Sequence, residues 1–153
     1  MIHTEAVRTR IEEAIPDLAG RMKFAAEWAK VIESGQLPQA DLAGFVLPGF
    51  LRGGVARAMT GAFIQELESM VSVVLCKRVS GDPTGSKAID EMKTFAEHAI
   101  KAIAGWEPPV AEGEAEPIGV FEFAQGELVG AVDSTLVFQL DFRLNDQLRI
   151  FPT

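Results

Sequence analysis

The sequence predicts an α+β domain: an antiparallel sheet of two hairpins, a mixed sheet being the variant, with a long helix packed across it and a further helix at the N-terminus. Three observations predict it. Ala88, Ile89, Met92, Phe95, Ala96, Ala99, Ile100 and Ile103 recur at three- and four-residue steps, the period of one helix face. Leu136, Phe138, Leu140, Phe142 and Leu144 alternate with Val137, Gln139, Asp141, Arg143 and Asn145, the period of a strand with one face in a core. Strand-like segments stand on both sides of that helix, so one layer of helix over one sheet is the economical arrangement.

In chain order, Ile2 to Ile15 reads as an amphipathic helix, with Val7, Ile11, Ala14, Ile15 and then Leu18 along one side, ended by Pro16. Arg21 to Ser34 opens on residues that could be a short strand and continues as a helix, AAEWAKVIES, closing at Gly35 with Trp28, Val31 and Ile32 inward. Leu42 to Pro48 is a short apolar strand that Pro48 should stop. Gly49 to Gly61 holds four glycines, two arginines and no acid, the composition of a flexible loop or arm. Ala62 to Val79 is a strand with Leu67, Val71, Val73 and Leu75 on one face, pairing back on Leu42 to Pro48.

The long helix follows. Asp82 before Pro83 has the N-cap-then-N1 arrangement, and Gly105, followed by Trp106, sits where a C-terminal stop belongs. Glu107 to Pro117 is an exposed loop. Ile118 to Ala124 is a strand, Gln125-Gly126 a turn, and the alternating segment returns beside it before a second turn at Asn145-Asp146.

The 153 residues are 48% hydrophobic and 24% charged, so residues 1–153 are expected to form one domain with a sizeable core. A single cysteine, Cys76, permits no internal disulfide and lies among Val73, Val74 and Leu75, which suggests a buried thiol and a reducing compartment. The N-terminus has no apolar signal region, and the longest apolar run is too short to span a bilayer; a soluble protein made inside the cell is expected. The net charge is −8, and it has an address: Glu107, Glu112, Glu114, Glu116, Glu122, Glu127, Asp133 and Asp141 lie between Lys101 and Arg143 with no base among them. Such a segment argues against holding a phosphate backbone.

The search for chemistry is mostly exclusion. GDPTGSKA meets a helix where a phosphate-binding loop would, but only three residues separate Gly81 from Gly85, and Lys87 is followed by Ala88, which has no hydroxyl for a metal ion. His3 is terminal and His98 sits on the helix beside Glu97 and Lys101, a surface position more than a general base. No Gly-x-Ser-x-Gly elbow is present, and the acids are scattered rather than clustered for a metal. No catalytic, cofactor or metal residue is therefore assigned, and the enzyme class falls away. What remains is assembly: open sheet edges need cover, and an arginine-bearing arm can order on contact. Arg52, Gly53, Gly54 and Arg57 are the candidate partner-contact loop, with a merely solvated loop an equal alternative. Asp82, Pro83, Gly105 and Trp106 are the candidate structural anchors.

An ordered set of features resembles a family: AGFVLPG before the glycine-rich stretch, a long strand ending VVLCKRVSGDPTG, a helix ending AIAGWEPP and a hairpin around GELVGAVDSTLVFQLDF. Together they are similar to the tail terminator, or tail completion, proteins of long-tailed bacteriophages in the Mu-like branch, most clearly from Ala43 to Phe142. The resemblance implies a virion structural protein. Such proteins form a homo-hexameric ring at the head-proximal end of the tail tube, assembled in the host cytoplasm. The ring stops tube polymerisation and offers a surface to the head-completion or neck protein. DNA passes through its lumen without specific binding, and an acidic wall there would suit repulsion. No cofactor and no membrane are implied. The alternative from another class is a small intracellular α+β ligand-binding or regulatory domain without catalytic activity.

Overall fold

The centre of the sheet is β3 (Ala62–Arg78), which is paired along nearly its whole length on both sides. The computed structural model describes residues 3–38, 40–79, 81, 85–110, 119–132 and 134–151. On one side of β3 lies β2 (Leu42–Met59), itself flanked at its start by the two-residue β1 (Met22–Lys23). On the other lie β5 (Thr135–Ile150) and then β4 (Glu122–Val132). The order is β1-β2-β3-β5-β4, with β1 parallel to β2 and every other pair antiparallel. The expected α+β class, two hairpins and a mixed sheet, is the architecture observed.

Alternation in β3 sorts two unequal layers. Val71, Val73 and Leu75 join Leu42, Val46, Leu140, Phe142 and Leu144 beneath α1 (Thr4–Ala14) and α3 (Ser86–Ile103). Val7 and Ile11 of α1, and Ala88, Met92, Ala96, Ala99 and Ile103 of α3, are buried there. This is most of the stripe the helical period predicts, and each large buried member contributes about 1.5–3 kcal/mol. Ile89, expected on it too, is 42% exposed at the margin of the face, beside Leu128 and Phe138. Val74 and Cys76 point the opposite way and meet Phe45 and Val137 under α2 (Ala25–Ser34). That second layer is thin: α2 has no buried residue, and Trp28 and Val31 cover the cluster while Ile32 is 66% exposed. Ile32 was expected inward; one residue past Val31, it rotates about 100° off so narrow a seam.

Five other expectations are corrected. Gly49 to Gly61 is not a loop, because β2 runs on to Met59 and turns through Thr60-Gly61 directly into β3. Its glycines serve close approach: a Cβ on Gly49 would lie 2.8 Å from the Met70 carbonyl oxygen, at the first of two bulges in the strand. Nor does Pro48 stop the pairing. The Gly44 N–H points outward to Arg21 O (3.3 Å), and Pro48, four residues on, shares that orientation, so its missing N–H faces the open edge.

Gln125-Gly126 is not a turn but lies beside a bulge within β4, and the hairpin reverses at Ser134, whose φ is 62°. Likewise Asn145-Asp146 lies inside β5, opposite Glu68 and Leu67. Asp146 is buried there beside His3, their nearest N and O atoms 3.9 Å apart, an ionic contact only when the imidazole is protonated. Finally, α3 begins at Ser86 behind Gly85, whose φ is 70°, rather than at the expected Asp82-Pro83; those two residues lie outside the described ones.

Candidate functional site

The outer half of the β2–β3 hairpin is the part of the fold with no helix over it. Phe50 to Ala58 are exposed throughout, and β5 accompanies them as far as Ile150, making a three-stranded arm. Its two faces differ. Leu51, Ala56 and Ala58 share a face with Phe63, Leu148 and Ile150, while Arg52 and Arg57 share the other with Glu68, Ile64 and Arg149. Leu51 is 49%, Val55 62%, Ile150 51% and Phe151 66% exposed. An exposed strand with an apolar face is an edge that invites a partner.

The four candidate contact residues are all brought onto this arm. Arg52 packs its guanidinium 4.4 Å from the centroid of the Phe50 ring. Gly53 sits where a Cβ would come within 2.7 Å of the Gln65 amide nitrogen, and that same amide donates to Gly54 O at 3.3 Å. Arg57 is exposed opposite Ile64.

Gly105 and Trp106 stand elsewhere, at the far end of α3. Gly105 adopts φ 80° and donates its N–H to Phe121 O (2.8 Å), while Phe121 N–H returns to Trp106 O (2.9 Å). The Trp106 ring stacks on Phe121 at 5.9 Å, and the Arg10 guanidinium lies 4.9 Å from the Trp106 ring centroid while donating to Ala102 O at 2.7 Å.

Sequence reasoning missed two polar sites and two grooves. Lys77, on the core face of β3, reaches Asp41 at 2.6 Å and Glu91 at 3.0 Å beside a cleft of about 450 Å³. Burial disfavours its ammonium, but the two carboxylates more than compensate and hold its pKa above the ordinary value. On the other face Asp141 accepts from Ser72 Oγ (2.6 Å), Gln125 Nε2 (2.9 Å) and Gln139 Nε2 (3.0 Å). Burial opposes its ionisation, yet these three donors depress its pKa below the usual carboxylate value. The Cys76 thiol, with no such donor, is pushed up to about 12 by burial alone. The two apolar grooves flank β4: Ile89, Met92, Leu128 and Phe138 line one of about 230 Å³, and Trp28, Val31, Ile32 and Val129 one of about 280 Å³. Nothing in a linear pattern signals these, since each joins residues from distant elements.

Among the described residues no three His, Cys, Asp or Glu side chains are grouped to hold a metal ion, and no helix is long and apolar enough to cross a membrane. The geometry is that of contact surfaces. The sequence model of the phage tail terminator protein family matches residues 1–152. The chain belongs to the phage tail terminator family. This places it in a structural family of phage tail assembly and locates it with the tail of the virion. No curated protein matches the chain.

Proposed function

We propose that this tail terminator caps the head-proximal end of the tail tube, stops its polymerisation and offers the docking surface for the head-completion or neck protein. Six copies in a ring, assembled in the host cytoplasm, are the form this takes. Membership of the family over residues 1–152 carries the reading. The uncovered arm supports it, because a chain acting alone has no use for a strand exposed on both faces from Phe50 to Ala58. The acidic excess between Lys101 and Arg143, apart from buried Asp141 and the two glutamates of β4, suits the wall of a lumen through which DNA passes without adhering.

Mixing the chain with its tail-tube protein tests the reading. Light scattering and electron microscopy should find rings, and tubes closed at one end and limited in length. A stable monomer that leaves tube growth unchanged at all ratios overturns it.

A further inference from the structure

The sheet has two open edges, and they are unlike. β1 pairs with β2 only at Gly44 and Phe45, so among the described residues the outer edge of β2 is vacant from there to Met59. At the other end of the strand order, β4 is paired on its inner side alone among the described residues. We propose that a second copy of this chain fills the vacancy: β4 of one subunit, Glu122–Val132, adds antiparallel beside Leu47 to Arg57 in β2 of the next. Leu128 then faces Leu51, Glu127 faces Arg52 and Glu122 faces Arg57. The inference rests on the self-assembly read above and names its contact.

Direction permits it. β2 is antiparallel to β3, β3 to β5 and β5 to β4, so β2 and β4 run in opposite senses within one subunit. Two copies held the same way up therefore meet edge to edge as an antiparallel pair.

Charge selects the register. Arg52 and Arg57 oppose Glu68 and Ile64; Glu127 and Glu122 oppose Gln139 and Arg143, which themselves face Val74 and Met70. All four charges thus lie on one face of the sheet. Each pair spans four ladder positions, about 13 Å at the rise of a strand, so both arginines meet both glutamates at once. Glu122 already holds Arg143 at 2.9 Å and would be shared. On the other face the same register sets Leu51 (49% exposed) against Leu128 (55%) and Ala56 against Phe123 (38%). These are the cross-strand pairs that stabilise a sheet.

Irregularities agree as well. β2 is bulged between Pro48 and Leu51 and between Gly53 and Ala56; β4 is bulged between Phe123 and Gln125 and between Leu128 and Gly130. Reversed and laid side by side in this register, each bulge meets a bulge, and a single offset holds throughout. The slot also has the right length. β4 has 11 residues and ends opposite Leu47, just short of Gly44 and Phe45 where the neighbour's β1 sits. Because the two edges differ, every subunit offers one of each, and the contact propagates to a closed ring or an open chain.

The test uses Leu51→Cys and Leu128→Cys in the full chain, with buried Cys76 as a silent background. Facing Cα atoms about 5.5 Å apart in such a pair lie inside the disulfide window. Mild oxidation should give a covalent dimer only when the two variants are mixed, and a ladder of oligomers from the double variant. Independently, Arg52→Glu or Glu127→Arg alone should raise the concentration for half-assembly about tenfold, and both in one chain should restore it. Circular dichroism checks that each exposed-site variant is folded. Oligomers that form without the 51–128 cross-link and ignore the charge changes overturn this contact while leaving self-assembly standing. A chain that stays monomeric even with tube protein overturns both.

Discussion

The Lys77 ammonium lies 2.6 Å from an Asp41 carboxylate oxygen, which ties the end of β3 to the residue that leads into β2. The two ends are far from equal: the Lys77 side chain is 7% exposed and that of Asp41 74%. Solvent can therefore satisfy the acid but not the base. Asp41→Asn with Glu91→Gln, which removes both charged partners of the ammonium, should cost about 1–3 kcal/mol in urea unfolding. Lys77→Met, which leaves both acids wet, should cost under about 1 kcal/mol. Because the folded pKa of Lys77 is raised, its contribution is present at neutral pH and is lost only as pH rises through that raised value.

Asp141 gives the opposite sign. Its folded pKa is depressed, so its stabilisation is present above the unfolded value near 3.8 and is lost as pH falls through the lower folded one. Unfolding free energies measured from pH 6 down to pH 3 should fall for the native chain. For Asp141→Asn the curve should be flatter in that range and lower at neutral pH by about 1–3 kcal/mol, because Ser72, Gln125 and Gln139 lose a charged acceptor.

Cys76 should be chemically silent. With a pKa of about 12 and 1% exposure, its thiolate fraction at pH 8 is on the order of 10⁻⁴. A thiol reagent should label the folded chain at a rate set by opening of the protein, independent of reagent concentration at high excess, and label the urea-unfolded chain at once. Fast labelling of the folded chain would mean that α2 does not cover this face.

At the far end of α3, Gly105→Ala should destabilise by about 1–2 kcal/mol, since its φ of 80° is unfavourable for any side chain although nothing crowds the added methyl group. Trp106→Ala should cost more, about 2–4 kcal/mol, through loss of the stack on Phe121 and the cover over Arg10. Thermal unfolding of the two variants ranks them.

What the sequence disclosed follows from burial. The stripe of α3 and the alternation of Leu136 to Leu144 could be read because each has one dry and one wet side, and burial writes a period into sequence. The outer half of β2 is wet on both faces, so no period is written there, and Gly49, Gly53 and Gly54 look like loop residues although two mark bulges that must pass close to Met70 and Gln65. Asp146 misled for a related reason: its partner, His3, is 143 residues away, and only the fold brings them together. The arginines of the arm stood out against the acidic total, whereas the edge that complements them, Glu122 and Glu127, was hidden inside the acidic run.

The two layers of unequal thickness have an optical consequence. Trp28 sits over Phe45 at 4.9 Å on the face under α2, and Trp106 over Phe121 at 5.9 Å on the face under α1 and α3. With no other tryptophan and no tyrosine in the chain, replacing either indole by phenylalanine leaves a single emitter on one known side of the sheet. Emission from the α2 side should shift at lower denaturant than emission from the α3 side, since no residue of α2 is buried while five of α3 are. Coincident midpoints would instead mean that the thin layer and the thick one melt as a single cooperative unit.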